Sequence, residues 1–258
     1  MKGKLPDKLF EFKDKPIENQ MANNYFQFKQ FRIEQDKCSM KVGTDGTLLG
    51  AWTNPPQTGF ILDVGCGTGL LMLMMAQKST HSIIDGIEID GEAAYQAEEN
   101  KNQSKWRERI SITNNNFFTW AAKWDKKYDL IICNPPFYNQ GPKSSSTNRD
   151  IARQNKFFNL AEFIQTSKQI LTPQGAISLI LPAEQKLTLL EIADSNFVHA
   201  NKICHIFPTP LKPSHRFMVQ LFAEKTDLQE ENLIVEINGR HQYSEQYRML
   251  TKDFYLNI

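Results

Sequence analysis

The tetrapeptide Asn134-Pro135-Pro136-Phe137 is the part of the sequence best suited to chemistry. The Asn134 side-chain oxygen and the Pro135 carbonyl could each accept one hydrogen of an amino group. Two acceptors out of the plane of an aromatic ring would favour a pyramidal nitrogen whose lone pair can attack an electrophile in line. Consecutive prolines would stiffen the turn, and Phe137 could stack on a planar base. We therefore predict that these four residues are catalytic.

The same tetrapeptide could also be an ordinary turn, because Asn-Pro and Pro-Pro both interrupt regular structure. Its position directly after the apolar residues 128–133 favours a binding role, since ligands bind beyond the strand ends of an open sheet. Cys133 could be interpreted as a nucleophile, but its place within an apolar strand favours packing in the core.

A second set of residues has the pattern of a nucleotide site. Residues 61–69 read Ile-Leu-Asp-Val-Gly-Cys-Gly-Thr-Gly, an apolar strand that runs into three alternating glycines. Glycines here would let the backbone pass close beneath a ligand with its N–H groups pointing outward. Glu88-Ile89-Asp90 follows a second strand about 20 residues later, where a carboxylate could accept both ribose hydroxyls.

The ligand of such a loop could be a dinucleotide, but two details favour another cofactor. The glycine spacing is GxGxG rather than GxGxxG. Asp63 at the end of the strand suits a cationic or amine-bearing group better than a pyrophosphate. The loop and the downstream carboxylate together indicate a cofactor that contains an adenosine ribose.

The elements that must position these residues alternate between strand and helix from Phe60 onward. We predict an α/β, Rossmann-like, doubly wound sheet of seven strands, mostly parallel and closed by a C-terminal antiparallel hairpin. The predicted strands cover residues 60–64, 83–89, 110–113, 128–133, 176–181, 197–207 and 216–223. The predicted helices cover residues 70–78, 92–105, 160–171 and 184–193.

The N-terminal part of the chain has a different pattern. Residues 1–24 alternate in charge with few apolar anchors, which predicts a flexible lead-in. We predict a single domain that spans residues 25–258, of which residues 25–58 are the N-terminal extension. Within the extension we predict a half-buried strand over residues 26–33, a turn at residues 43–46 and a short helix over residues 47–52.

The length and composition are sufficient for one large globular domain, and the net charge argues neither for nor against a nucleic-acid partner. The chain has 258 residues, with 40% hydrophobic residues, 23% charged residues and a net charge of +1. Any electrostatic attraction must therefore come from local clusters. We expect no membrane span and no secretory signal. The four cysteines are widely separated, so we expect no metal site and no disulfides, and a cytoplasmic location.

Several segments resemble known families. Asp63-Val-Gly-Cys-Gly-Thr-Gly69 and Glu88-Ile-Asp90 resemble the first two signatures of class I S-adenosylmethionine-dependent methyltransferases. Asn134 to Phe137 resembles the signature of amino-methyltransferases that act on adenine, guanine or glutamine amides. Residues 40–52, 149–153 and 243–255 are similar to the bacterial tRNA (adenine-N6)-methyltransferases that modify adenine 37 of a valine tRNA. That similarity runs from about residue 25 to the C-terminus.

The resemblance implies S-adenosylmethionine as cofactor and tRNA as substrate. It places Glu88 at the ribose and Asp63 on the methionine side. Asn116 stands where the family usually has an acid, so it could equally be a turn residue, and Thr44 to Gly46 could equally be a helix N-cap turn. The cofactor-binding residues implied are Thr44, Asp45, Gly46, Asp63, Gly65, Gly67, Thr68, Gly69, Glu88, Ile89, Asn116 and Phe117.

Two locally basic segments could contact RNA phosphates. One lies after the catalytic turn and the other around the predicted hairpin, and both could instead be solvated loops. The candidate residues are Lys143, Arg149, Arg153, Lys156, Lys212 and Arg216.

Three alternatives to a tRNA adenine-N6 enzyme remain open from the sequence. A ribosomal RNA guanine-N2 enzyme and a protein-glutamine N5 enzyme share the fold and the turn. The glutamine enzymes have a helical N-terminal domain, for which residues 1–58 are too short and too strand-like. A non-catalytic S-adenosylmethionine-binding RNA module is the third, and the intact turn argues against it.

Overall fold

The computed structural model describes residues 24–38, 40–136 and 158–256. Its strands are β1 Tyr25–Gln27, β2 Arg32–Glu34, β3 Phe60–Val64, β4 Ile83–Glu88, β5 Ile110–Asn114, β6 Tyr128–Cys133, β7 Leu171–Pro182, β8 His199–Phe207, β9 Arg216–Phe222 and β10 Gln229–Ile234. Its helices are α1 Thr44–Trp52, α2 Leu70–Lys78, α3 Gly91–Asn102, α4 Phe117–Ala121, α5 Leu160–Gln169, α6 Lys186–Ser195 and α7 Glu245–Thr251. Residues 1–23 of the predicted lead-in lie outside the described part.

The main sheet confirms the predicted α/β architecture. Its strand order is β10-β8-β9-β7-β6-β3-β4-β5. Strand β9 runs antiparallel to both of its neighbours, β7 and β8, and the other neighbouring pairs are parallel. The carboxyl ends of β3, β4, β5, β6, β7, β8 and β10 therefore lie at one edge of the sheet, together with the first residue of β9.

The predicted count of seven strands is wrong, because the described residues form a main sheet of eight. The additional strand, β10, pairs in parallel with β8 and is the outermost strand on that side of the sheet. Its first four residues, Gln229 to Asn232, are exposed. A polar edge strand of this kind has no alternation of apolar and polar residues by which to recognise it.

Two apolar clusters fill the space between the sheet and its helices. Helices α1, α2, α3 and α7 contribute to one cluster, and α4, α5 and α6 contribute to the other. Neighbouring strand residues alternate between them, so that Ile61 belongs to the first cluster and Leu62 to the second. This arrangement is the doubly wound fold, with helices on both faces. None of the helices in the described ranges is long and apolar enough to cross a bilayer.

The prediction of one strand over residues 26–33 is wrong. Residues 25–27 and 32–34 form two short antiparallel strands, β1 and β2, joined by a tight turn in which the Phe28 N–H donates to the Phe31 carbonyl at 2.9 Å. The Phe28 and Phe31 rings stack with centroids 4.7 Å apart. The alternation of apolar and polar residues over 26–33 therefore has another origin. The rings of Phe26, Phe28 and Phe31 pack around a turn, and no continuous strand runs through them.

Helix α1 lies between β2 and β3 in the chain and packs against α2. It begins at Thr44, earlier than the predicted residue 47. Gly50 lets α1 pack closely on α2, since a Cβ at this position would lie 2.4 Å from the Met74 sulfur. The Lys78 ammonium of α2 donates to the carbonyls of Ala51 and Thr53 at 2.5 Å, which satisfies the end of α1. These contacts fix the last turn of α1 against α2.

Gly50→Ala should destabilise the protein by about 1–3 kcal/mol, because the added methyl group overpacks the contact with Met74. Chemical denaturation measures this difference. Gly43→Ala is the matched control, since a Cβ there has only the Lys41 carbonyl near it, at 3.9 Å. Equal stability of the two variants would contradict the close packing of α1 on α2.

Candidate active site

The candidate site lies where β3 and β6 run side by side. Asp63 of β3 pairs with Ile132 of β6. Gly65 and Asn134 each follow two residues later, so they stand side by side just beyond the ends of these neighbouring strands. Beyond β3 the chain continues to β4 on one side, whereas β6 lies on the other side. A crevice opens at such a switch point because the two connections leave in opposite directions.

The crevice contains two adjoining cavities, which share Met40, Gly65, Gly67 and Asn134. The β4-side cavity is lined by these residues and by Cys38, Val64, Ile87, Glu88, Ile89, Asp90, Ala93, Asn115, Asn116, Phe117, Phe118, Cys133, Pro136 and Phe158. The α1-side cavity is lined by the shared residues and by Lys41, Val42, Gly43, Thr44, Asp45, Gly46, Cys66, Thr68, Leu70, Leu71, Pro135, His215 and Arg216.

The glycine loop forms the floor of the crevice. Gly65, Gly67 and Gly69 have φ angles of 70°, 53° and 85°, a region that favours glycine. A Cβ at Gly65 or Gly67 would meet nothing within 4 Å, so both positions face open space. Gly69 instead is the N-cap residue directly before α2 and packs against Met72 and Ala97. The first two glycines therefore keep the floor clear for a ligand.

Glu88 fastens the loop to the end of β4. Its Oε2 accepts the Gly67 N–H at 2.8 Å, and its Oε1 accepts the Asp90 N–H at 2.9 Å. Each carboxylate oxygen retains a lone pair, because a carboxylate has about four acceptor sites. Glu88 is 8% exposed and lines the β4-side cavity. It can therefore hold the loop and accept hydroxyls of a nucleotide at the same time, with Ile89 beside it.

Asn116 lines the β4-side cavity and also caps a helix. Its side-chain oxygen accepts the Thr119 N–H at 3.1 Å at the start of α4. The next residue, Phe117, packs in the core with its ring 5.7 Å from that of Phe163 and reaches the same cavity. The Asn116 amide nitrogen is still available to a ligand, so the capping role and a binding role are compatible.

The turn after β6 stands between the two cavities. Asn134 borders both, Pro135 borders the α1-side cavity and Pro136 the β4-side cavity. A Cβ at Gly46 would lie 3.7 Å from the Asn134 amide nitrogen, an ordinary contact distance, so the first turn of α1 lies beside this turn. Phe137 lies outside the described residues. Burial raises the pKa of Cys133 well above its ordinary value, with Asp63 and Glu88 adding to the shift, which disfavours the thiolate that a nucleophilic role would need.

Asp63 lies beneath the loop rather than at its surface. It is 0% exposed and lines neither cavity, and in the described part of the chain neither carboxylate oxygen has a hydrogen bond of normal geometry, since the Met72 backbone amide is too poorly placed for one. Burial raises its pKa to about 8; the Glu88 charge adds to the shift and the Met72 backbone amide opposes it in part. A ligand that brings positive charge into the crevice would favour the ionised form of this group.

The wall opposite the glycine loop comes from α1 and from the start of β9. Thr44, Asp45 and Gly46 border the α1-side cavity, as does Thr68. The Arg216 guanidinium donates through Nε to Asp45 Oδ2 at 2.9 Å, so its charge is already paired in part. Lys212 is exposed in the loop that joins β8 to β9. The other predicted RNA contacts, Lys143, Arg149, Arg153 and Lys156, lie outside the described residues.

Several lining residues had no signal in the sequence. Cys38 and Met40 come from the connection between β2 and α1, and Phe158 follows residues 137–157, which lie outside the described part. Only the position of these residues in space identifies them. Asn115 is different, because the run Asn114-Asn115-Asn116 follows a strand end and could have indicated it.

Comparisons with known proteins give a consistent result. A family model described as methyltransferase small domain matches residues 41–205. A Parabacteroides distasonis protein named tRNA1(Val) (adenine(37)-N6)-methyltransferase is 41% identical over 239 residues, covering 92% of this chain and 100% of that protein. A Christiangramia forsetii protein of the same name is 40% identical over 241 residues, with the same coverage.

Among solved structures, the fold is similar to that of a predicted O-methyltransferase from Agrobacterium tumefaciens. The TM-score is 0.64 at 18% identity, and the match covers 81% of this chain and 96% of that one. TYW2 from P. horikoshii, solved with MeSAdo, gives a TM-score of 0.54 at 14% identity, with 78% and 71% covered. At these identities the likeness concerns the fold alone.

Asp63→Asn should stabilise the ligand-free protein, and the gain should increase with pH. The folded-state pKa of about 8 lies above the ordinary 3.8, so the folded protein keeps a proton that the unfolded chain has lost. The contribution of Asp63 to stability is therefore greatest below about pH 4 and falls as the pH rises toward 8. Between pH 5 and pH 8.5, we expect the melting-temperature gap between variant and wild type to widen by about 3 °C or more.

Asp125→Asn, at an exposed aspartate, is the matched control and should follow the wild-type curve. A gap of the same size at both pH values for Asp63→Asn would contradict the raised pKa.

Proposed function

The chain belongs to the tRNA1(Val) (adenine(37)-N6)-methyltransferase family, and on that basis we propose that it transfers a methyl group from S-adenosylmethionine to the N6 amine of adenine 37 in a valine tRNA. The observation that carries the proposal is the turn at Asn134 and Pro135. Asn134 lines both adjoining cavities and Pro135 lines the α1-side cavity, so two oxygen acceptors could serve a ligand where the cavities meet. Because the substrate is a tRNA, we also propose the cytoplasm as the place of action.

The residues of the crevice fit S-adenosylmethionine. Gly65 and Gly67 leave clear space where side chains would otherwise stand, and the unpaired Asp63 carboxylate suits a cofactor with an ammonium and a sulfonium group. Glu88 would accept the ribose hydroxyls, and Ile89, Asn116 and Phe117 would enclose the adenine. Thr68 and the first turn of α1 would border the methionine part. When bound, the cofactor supplies an electrophilic methyl group.

The catalytic turn acts by orienting the attacking amine. The lone pair of an adenine amine is delocalised into the ring, so the free amine is a weak nucleophile. The Asn134 side-chain oxygen would accept one amine hydrogen, and the Pro135 carbonyl would accept the other. Together they favour the pyramidal nitrogen and stabilise the positive charge that develops on it during attack.

The target base would enter from the α1-side cavity. The base must leave its stack to reach Asn134, as in other enzymes that act on a base. The carboxyl edge of the sheet continues from β6 through β7, β9 and β8 to β10, and neighbouring strands are about 4.8 Å apart. The loop between β8 and β9, with Lys212 at its tip, therefore stands beside the mouth of the cavity. We propose that this loop contacts phosphates of the RNA.

The substrate assignment can be tested directly. Purified protein would be incubated with labelled S-adenosylmethionine and total tRNA from a source that lacks the enzyme, and nucleosides would then be analysed by mass spectrometry. N6-methyladenosine in valine tRNA is expected. Methylated guanosine, or label in protein rather than RNA, would instead support one of the two other amino-methyltransferase activities. Cofactor binding without transfer to any substrate would support the non-catalytic module.

Asn134→Ala should reduce methyl transfer by about 10²–10³-fold, because one of the two acceptors is lost from the transition state. Cofactor affinity should stay near that of the wild type, since the glycine loop and Glu88 are untouched. Rates under saturating cofactor and isothermal titration calorimetry measure the two effects separately. Unchanged turnover would refute the role given to Asn134. Asn102→Ala, at an exposed residue of α3, controls for a general effect of removing an amide.

Lys212→Glu should weaken tRNA binding by about fivefold at low salt, and the difference should shrink as salt rises. The reason is that reversing one charge removes a phosphate contact and adds a repulsion. Filter binding over a series of salt concentrations measures both the affinity and its salt slope. Lys225→Glu makes the same charge change at the other end of β9, away from the crevice, and should have little effect. Equal behaviour of the two variants would remove Lys212 from the interface.

A further inference from the structure

Two buried amide side chains on α3 contact a segment that borders the crevice. Gln96 and Asn100 are 0% and 1% exposed. They lie four residues apart, so both project from the same face of the helix. Both contact the connection between β2 and α1, which we call the strap and define as residues 34–38 and 40–43. Cys38 and Met40 of the strap line the β4-side cavity.

Asn100 joins the strap to the glycine loop through three hydrogen bonds. Its Oδ1 accepts the Glu34 N–H at 2.8 Å, and its Nδ2 donates to the Glu34 carbonyl at 2.9 Å. The same nitrogen donates to the Thr68 carbonyl at 2.9 Å. One side chain therefore fixes both the start of the strap and the loop that forms the floor of the crevice.

Gln96 holds the strap one step further along the chain. Its Oε1 accepts the Lys37 N–H at 3.0 Å, and its Nε2 donates to Asp36 Oδ1 at 2.6 Å. On the surface above, the Lys37 ammonium lies 2.8 Å from the Glu99 carboxylate. Cys38 follows directly, so these bonds fix the point at which the strap reaches the cavity.

Asn100 hydrogen-bonds to the strap at Glu34 and to the floor at Thr68, so it links the two directly. Leaving a buried amide without its partner destabilises the folded state, so each of these contacts favours one strap position. The strap is also closed on itself, since the Val42 N–H donates to Gln35 Oε1 at 2.8 Å. A closed strap shifts as a unit, so losing its anchor on α3 would displace the Cys38 and Met40 wall together.

We propose that Asn100 and Gln96 are positioning residues that set the cofactor affinity of the enzyme by holding the strap as a wall of the β4-side cavity. The inference rests on the proposed function, because it takes S-adenosylmethionine as the ligand of that cavity. The amides touch neither cofactor nor substrate. They act through the placement of Cys38 and Met40 and through the Thr68 carbonyl of the loop. Their loss should weaken cofactor binding and leave the chemical step intact.

Asn100→Asp is the decisive variant, because it keeps the shape and the acceptor but replaces two donors with a carboxylate. That carboxylate would face the carbonyl oxygens of Glu34 and Thr68. We expect the Kd for S-adenosylmethionine, measured by calorimetry without RNA, to rise about tenfold. The KM for the cofactor should rise by a similar factor, with kcat at saturation within about twofold of wild type. Amide hydrogen exchange at Glu34 and Lys37 should become faster.

Asn102→Asp makes the same change at an exposed position of the same helix and should bind cofactor like the wild type. Asp36→Ala changes only the exposed partner of Gln96, so it should keep the fold and raise the Kd about threefold.

Unchanged cofactor affinity in a folded Asn100→Asp, or a loss of kcat alone, would overturn the inference. If Asn100→Asp does not fold, Asp36→Ala decides, and a wild-type Kd in that variant would overturn the inference as well. Wild-type protein that binds no S-adenosylmethionine would overturn the proposed function and this inference with it. The two failures are therefore distinguishable.

Discussion

The pairing of β3 with β6 is the constraint on which the rest of the site depends. It sets the glycine loop and the Asn134 turn on neighbouring strands in a fixed register, with Asp63 opposite Ile132. Because the two strands are buried between helical layers, neither loop can shift along the other without breaking the ladder. The sheet itself therefore brings the proposed cofactor loop and the proposed catalytic turn together.

Two acids lie beneath this crevice. Glu88 uses two of its acceptor sites on backbone N–H groups, whereas Asp63 is fully buried and, in the described part of the chain, makes no hydrogen bond of normal geometry. The Glu88 charge adds to the effect of burial in raising the pKa of Asp63 to about 8, so Asp63 is largely protonated in the ligand-free protein at neutral pH. A cationic ligand in the crevice would favour the ionised form of Asp63 and lower this pKa.

The sequence predicted the parts of the site that come from buried parallel strands. Residues 60–64, 83–88 and 128–133 are apolar runs, and the loops after them have distinctive residue types. Cys38 and Met40 of the strap were missed because they have ordinary side chains and gain their role only from where α3 holds them. Strand β10 was missed because it is polar, and the β1–β2 turn because its aromatic residues imitate alternation.

Rigidity, rather than basicity, is what the proposed reaction demands of this site. An amine nitrogen becomes acidic only after it has received the methyl group, so attack needs acceptors for its hydrogens and no general base beforehand. His215, which lines the α1-side cavity, has its pKa lowered by burial and by Arg216 and pairs with the Ile206 carbonyl. The two prolines that follow Asn134 restrict the backbone of this turn instead. Hydrogen-bond acceptors that stay in place during attack stabilise the transition state, whereas a general base would contribute nothing before the methyl group has been transferred.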